Sequence, residues 1–193
     1  IVSTGKSAPC KDCPTILSRL KSLLVAYPQA TGASRLWIES AGSLRGQGMT
    51  VAIVDSGINH LSDLAGSNGS SASRIIADVV LTAAGPGTTI SDNWGHGTHV
   101  AGIIGGNGAA SYGAHSGMAP MVNLVNVKVG DDRAGVTTAD VVAGLQWVYN
   151  HADEHRIRIV NLSVSSTLAE SYHTSALDAA VELLWFKGIV VVV

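Results

Sequence analysis

The stretch Thr50-Val51-Ala52-Ile53-Val54-Asp55-Ser56-Gly57-Ile58 constrains the fold more than any other part of this chain. β-Prone apolar residues run without a polar interruption, then end on a carboxylate and a glycine turn. A strand with one wet face alternates polar and apolar residues. An unbroken apolar run instead marks a strand buried on both faces, the habit of parallel sheets. Such a strand delivers Asp55 to the carboxyl edge of the sheet, where open α/β folds keep their sites. Comparable runs follow at 122–129, 157–163 and 188–193, with helical patterns between them. This alternation predicts an α/β fold of three αβα layers around a mostly parallel, doubly wound sheet.

The second anchor is Asn93-Trp94-Gly95-His96-Gly97-Thr98-His99-Val100-Ala101-Gly102-Ile103-Ile104-Gly105. It puts an imidazole at the start of a run of small residues that can open a tightly packed helix. Gly95 and Gly97 leave room for another backbone to approach. A His so placed is a metal ligand or an acid–base catalyst, depending on its neighbours. Asp55 is the candidate neighbour. A short carboxylate facing the ring can hold one tautomer and stabilise the imidazolium, which is the Asp–His half of a nucleophilic triad.

Val51 to Ile58 and His96 to Gly102 resemble the Asp and His signatures of subtilisin-like serine proteases, in that family's order. The resemblance continues through Gly117-Met118-Ala119-Pro120, Val122 to Val129, Ile159-Val160-Asn161-Leu162-Ser163 and Gly188 to Val193. It implies a serine endopeptidase in which Asp55 orients His96 and His96 is the general base. In the family the oxyanion Asn and the nucleophilic Ser come after the strand that here ends at Val193. The expectation is therefore a chain that carries Asp and His only, stops inside its fold and is inactive alone. Its implied partners are the rest of the catalytic domain, an inhibitory pro-segment and a polypeptide substrate. Residues 27–193 correspond to the N-terminal portion of the catalytic domain. Residues 1–26 are either a pro-segment remnant or an N-terminal extension. A chain starting at Ile1 with no leader suggests a processed or excised product, and the family implies secretion.

The resemblance also implies site details. The segment after the 122–129 strand would wall the substrate cleft near Ala134 and Gly135. Ser163, Val164 and Ser165 would border the bound peptide, pairing with it through main-chain groups. Ser163-Val164-Ser165-Ser166 stands where the family has Leu-Gly-Gly, so side chains narrow or reshape the pocket entrance. Catalysis requires no cofactor, but Asp63 matches the family's acidic ligand for structural calcium. A solvated loop carboxylate is the other reading of Asp63. Asn107 to Ser116, a calcium loop in some relatives, has no acid here.

Other motifs have to be weighed. Cys10 and Cys13 are the only cysteines. A C-x-x-C admits a local disulfide, free thiols, or metal or redox chemistry. A helix behind Pro14 is expected to carry Ile16, Leu17, Leu20, Leu23 and Leu24 on one face, with Tyr27 to Gly32 breaking it. Another short helix is expected around Leu36-Trp37-Ile38. Arg74 to Val80 suits a strand, and Gly66 to Ser73 a surface loop. Thr137 to His155 is the strongest helix, with Thr137 or Thr138 as cap, Asp140 in the first turn and Val141, Leu145 and Val148 inward. A last helix, Ser175 to Lys187, turns Leu177, Val181 and Leu184 inward. His151-Ala152-Asp153-Glu154-His155 fits the H-x-x-E-H zinc motif, against which stands a solvated helix end. His96 and His99, three apart, offer a second zinc reading, against a packed His99 buttressing His96. A zinc peptidase and a non-catalytic relative are thus the alternatives. No G-x-G-x-x-G follows a strand, which removes the dinucleotide reading. With 13% charged residues and a net charge of −2, there is no electrostatic case for nucleic acid or an anionic membrane. No apolar run is long enough to span a bilayer.

Overall fold

The computed structural model describes residues 27–39, 43–66, 72–82, 89–133, 135–164 and 170–193. The expectations for Cys10, Cys13, the helix after Pro14, Ala134, Ser165 and most of the Gly/Ser loop at 66–73 lie outside these residues. Five strands form one sheet: β1 (Thr50–Asp55), β2 (Ile75–Val80), β3 (Asn123–Lys128), β4 (Ile157–Leu162) and β5 (Val190–Val192), in the order β2-β3-β1-β4-β5. Every pairing between these strands is parallel. The helices are α1 (Tyr27–Ala30), α2 (Ala33–Glu39), α3 (His96–Gly105), α4 (Thr138–His155) and α5 (Ala176–Phe186).

Side-chain parity along β1 shows why its apolar run is unbroken. Ala52 and Val54 join a core with Val125, Val127, Leu145, Val148 and Leu184, under α4 and α5. Val51 and Ile53 join a second core with Leu124, Ile75 and Ala101, under α3. Each face of the central strand is covered, so the molecule has the three αβα layers expected. Successive side chains of a strand point to opposite faces, so Asp55 falls on the α3 side with Val51 and Ile53.

α4 begins where its sequence indicates. Thr137 is the cap, and its side chain and that of Asp140 each accept the other's backbone N–H in a capping box. The long axis of this helix packs tightly on the sheet. A Cβ added at Gly144 would lie 2.8 Å from Val129 Cγ1, 3.3 Å from Val127 Cγ1 and 3.4 Å from Val54 Cγ1. Arg156 closes the helix in a left-handed conformation, φ 54°.

Two elements differ from expectation. Tyr27 to Ala30 is itself a turn of helix, with Pro28 buried in it and the break falling at Gly32, φ 80°. Proline suits a first helical turn because its missing N–H has no partner there anyway. In the apolar run 188–193, β5 pairs in parallel with β4, Ile189 is buried, and Val190 and Val192 are each 49% exposed. The end of α4 is not simply solvated. Trp147, His151 and His155 stack ring on ring, with centroids 4.3 Å and 5.7 Å from the indole, and His151 Nδ1 donates to the Trp147 carbonyl at 2.8 Å.

Helix propensity alone favours alanine over glycine inside a helix by about 1 kcal/mol. At position 144 the sheet reverses that sign. Gly144→Ala is expected to lower stability by about 1–3 kcal/mol through overpacking, read as a fall in the chemical-denaturation midpoint; a rise would show that α4 does not sit on β1 and β3 as described.

Candidate active site

The carboxyl end of β1 and the first turn of α3 meet at a separation that only glycine allows. A Cβ on Gly97 would lie 2.2 Å from the Gly57 carbonyl oxygen and 3.1 Å from Asp55 Cβ. Gly95 precedes the helix in the left-handed region, φ 89°, and turns the chain so that His96 is its first residue. His96 Nδ1 then lies 2.8 Å from Asp55 Oδ1 and 3.0 Å from Oδ2. A carboxylate only accepts, so Nδ1 carries a hydrogen, and in the neutral ring Nε2 is then the nitrogen with the lone pair. The two partners are unequally placed: the Asp55 side chain is 3% exposed and that of His96 46%. The carboxylate is fixed in the protein while the ring reaches solvent.

Asp55 receives a further bond from its neighbour, Ser56 N–H to Oδ1 at 2.7 Å. Behind it lies a second buried carboxylate that sequence reasoning passed over. Asp92, 5% exposed, accepts from Ser56 Oγ at 2.9 Å, Gly95 N at 2.8 Å, Thr98 N at 2.9 Å and Thr98 Oγ1 at 2.7 Å. Burial alone would raise its pKa. The bonds from Thr98, Gly95 and Ser56 outweigh burial and hold the carboxyl below its ordinary value. The available signal was an acid just ahead of a helix start. It was easy to miss because the residue sits three positions before the cap and Gly95 supplies the turn.

The cleft in front of His96 measures about 210 Å³ and is lined by Asp55, Ser56, Trp94, His96, Val129, Gly130, Val136 and Ser163. It lies beyond the carboxyl ends of β1, β3 and β4, where the winding of the sheet reverses, as open α/β folds place their sites. The structure brings Asp55, His96 and Ser163 together here. Trp94, 66% exposed beside the imidazole, is a lining residue the sequence reading did not single out. Gly135 closes a turn with Asp131, whose N–H donates to the Gly135 carbonyl at 2.8 Å, one residue before the lining Val136. Val164 is half-buried and packs against the α4-side core.

The remaining candidates lie apart. His99 is exposed rather than packed behind His96, because it follows the outer side of α3. Among the described residues no three His, Cys, Asp or Glu side chains are grouped to hold a metal. Asp63 is in a short 3₁₀ turn, Ser62–Leu64, and its Oδ1 accepts the Ala110 N–H at 2.6 Å. The oxygens around it already face a cation. The buried Arg74 guanidinium donates to the carbonyls of Ala65 (2.9 Å), Val122 (2.9 Å), Asp63 (2.8 Å) and Gly105. Burial lowers the Arg74 pKa, with Asp63 opposing that shift. A calcium cage needs six to eight convergent oxygens. Carbonyls committed to a guanidinium do not fit that requirement.

The fold and this pair define an α/β protein with a fixed carboxylate and a reachable imidazole at the carboxyl edge of a parallel sheet. Residues 46–193 match the subtilase family of peptidases, and the chain belongs to that family. It is 35% identical over 181 residues to the serine protease AprX of Bacillus subtilis (strain 168), covering 90% of this chain and 38% of that protein. It is also 35% identical over 149 residues to a cuticle-degrading serine protease of Orbilia oligospora, covering 77% of this chain and 30% of that protein. The crystal structure of a cold-adapted subtilisin-like serine proteinase superposes with a TM-score of 0.52 at 27% identity, over 77% of this chain and 46% of that one. The chain thus spans less than half the length of these relatives.

Two measurements test the cluster. Replacing Arg74 with Met strands several buried carbonyls, and a loss on the order of 3 kcal/mol is expected; the melting temperature of the parent should not change with EDTA. A Tm that rises with added calcium would refute the guanidinium assignment. For Asp92, a folded-state pKa below the unfolded value of 3.8 means its contribution is complete above that pH. The stability gap between parent and Asp92→Asn should therefore be full at neutral pH and close as pH falls through the lower folded value. A gap that widens in acid would contradict this.

Proposed function

We propose that this chain supplies the acid–base half of a serine endopeptidase, with Asp55 and His96 acting on a serine from a part of the protein outside these residues. The observation that carries this reading is the direct Asp55–His96 hydrogen bond, 2.8 Å to Nδ1, from a half-exposed ring that lines an open cleft. That contact leaves no room for a metal between the two groups, which favours acid–base chemistry over a shared ion. Family membership and relatives named as serine proteases support the same reaction class.

In this mechanism Nε2 takes the proton from the serine hydroxyl as its oxygen attacks the scissile carbonyl. Asp55 holds the tautomer and stabilises the imidazolium that forms. The ring then delivers the proton to the leaving amine, and water repeats the cycle on the acyl-enzyme. The substrate is a polypeptide, running past Ser163 and Val164 in extended form, with Trp94, Val129 and Val136 giving the cleft apolar walls. The chemistry as drawn takes no cofactor. Secretion is the location we propose, in keeping with a relative named as the minor extracellular protease Epr of Bacillus subtilis (strain 168). Residues 27–193 form one part of the catalytic domain in this reading, and residues 1–26 precede it.

In the full-length protein, Asp55→Asn is expected to lower kcat about 10⁴-fold with the fold intact, because the amide favours the wrong tautomer. The 193-residue chain alone is expected to show no burst of acylation by a fluorophosphonate. Labelling of the isolated chain, or a fully active Asp55→Asn protein, would overturn the assignment.

A further inference from the structure

Asp92 is more deeply engaged than a helix cap requires. It accepts the N–H groups of Gly95 and Thr98 that α3 cannot bond internally. It also accepts the Thr98 hydroxyl and the Ser56 hydroxyl. Ser56 Oγ has one hydrogen and stands 2.9 Å from Asp92 Oδ1 against 3.2 Å from Asp55 Oδ1, so the proton goes to Asp92. The same oxygen accepts the Gly97 N–H at 3.0 Å. Ser56 is the residue after Asp55, and its own N–H holds Asp55 Oδ1. A continuous path therefore runs from the turn carrying His96, through Asp92 and Ser56, to the carboxylate that His96 contacts.

Asp92 is itself held from two sides. Asn59 grips its main chain, Asp92 N–H to Asn59 Oδ1 and Asn59 Nδ2 to the Asp92 carbonyl, both at 2.9 Å. The fully buried Lys128 donates to the carbonyl of Ser91, the preceding residue, and to Asp132 at 2.8 Å. Charge adds a second consideration. His96 becomes cationic at the N-terminus of α3, the positive end of the helix dipole, where a cation is disfavoured. An anion seated on those N–H groups offsets that potential at the place where the imidazolium forms.

We propose that Asp92 is a positioning residue for the Asp55–His96 pair, tying the first turn of α3 to Ser56 and through it to the Asp55 carboxylate. The effect on turnover rests on the function proposed above; the effect on the hydrogen bond does not. The test uses the full-length protein with Asp92→Asn, Ser56→Ala and the double variant. The low-field proton resonance of His96 Nδ1–H is recorded for each, alongside kcat, KM and Tm. An amide at 92 presents N–H groups to donors, so the Nδ1–H resonance is expected to move upfield or broaden away. The same variant should lose kcat about tenfold to hundredfold with KM little changed, the signature of misplacement rather than weaker binding. Because both residues act along one path, the double variant should lose no more than Asp92→Asn alone. A folded Asp92→Asn protein with the parent resonance and kcat, or one whose only change is Tm, defeats the proposal. If Asp92→Asn does not fold, Ser56→Ala carries the test, and a parent-like resonance and kcat in it defeat the proposal equally. An inactive parent would sink the peptidase reading, while the resonance would still report on Asp92.

Discussion

The close crossing of β1 and α3 sets the geometry of this site. Gly97 against the Gly57 carbonyl sets the separation, and that separation puts the Asp55 carboxylate under the His96 ring. A buried carboxylate is costly unless its lone pairs meet donors. Here the donors are the ring N–H of His96 and the main-chain N–H of Ser56 for Asp55, and the free N–H groups of a helix start for Asp92. Among the described residues, no Lys or Arg forms an ion pair with either acid.

The same division of labour runs through the rest of the sheet edge. On the α3 side of β3, Leu124 is core, while Asn126 and Lys128, two and four residues on, are buried and polar. Asn126 Nδ2 donates to Asp78 Oδ1 on β2 at 2.9 Å, and Lys128 reaches the loop that carries Asp92. The face turns from apolar to polar as it approaches the carboxyl edge. Two buried cations, Arg74 at the amino side and Lys128 at the carboxyl side, hold loops through carbonyl oxygens. The site rests on a frame fixed from both ends of the strands.

What could be read from the chain followed from how local each signal was. The run 51–55 announces a doubly buried strand because every position in it obeys the same rule, and Gly95-His96-Gly97 announces a close approach by lacking side chains. Thr137 with Asp140 announces a helix start within four residues. Arg74 was opaque because its partners are main-chain carbonyls of distant segments, at 63, 65, 105 and 122, and Asp92 because its nearby partners include main-chain N–H groups of a helix start. A backbone atom leaves no mark in residue identity.

Exposure completes the physical picture. Proton transfer requires a ring that reaches its partner, yet the pair must not drift, because a misplacement of about 1 Å costs about a hundredfold in rate. The structure separates these demands between residues. His96 keeps 46% of its side chain open, and the constraint on it is exported to Asp55, 3% exposed. Behind them Ser56 and Asp92 are both buried and multiply bonded. In the proposed mechanism, a proton gained by the ring would form an imidazolium beside two buried carboxyl groups, Asp55 and Asp92. Asp92, seated on N–H groups of the α3 start, offsets the positive end of the helix at the place where that charge would form.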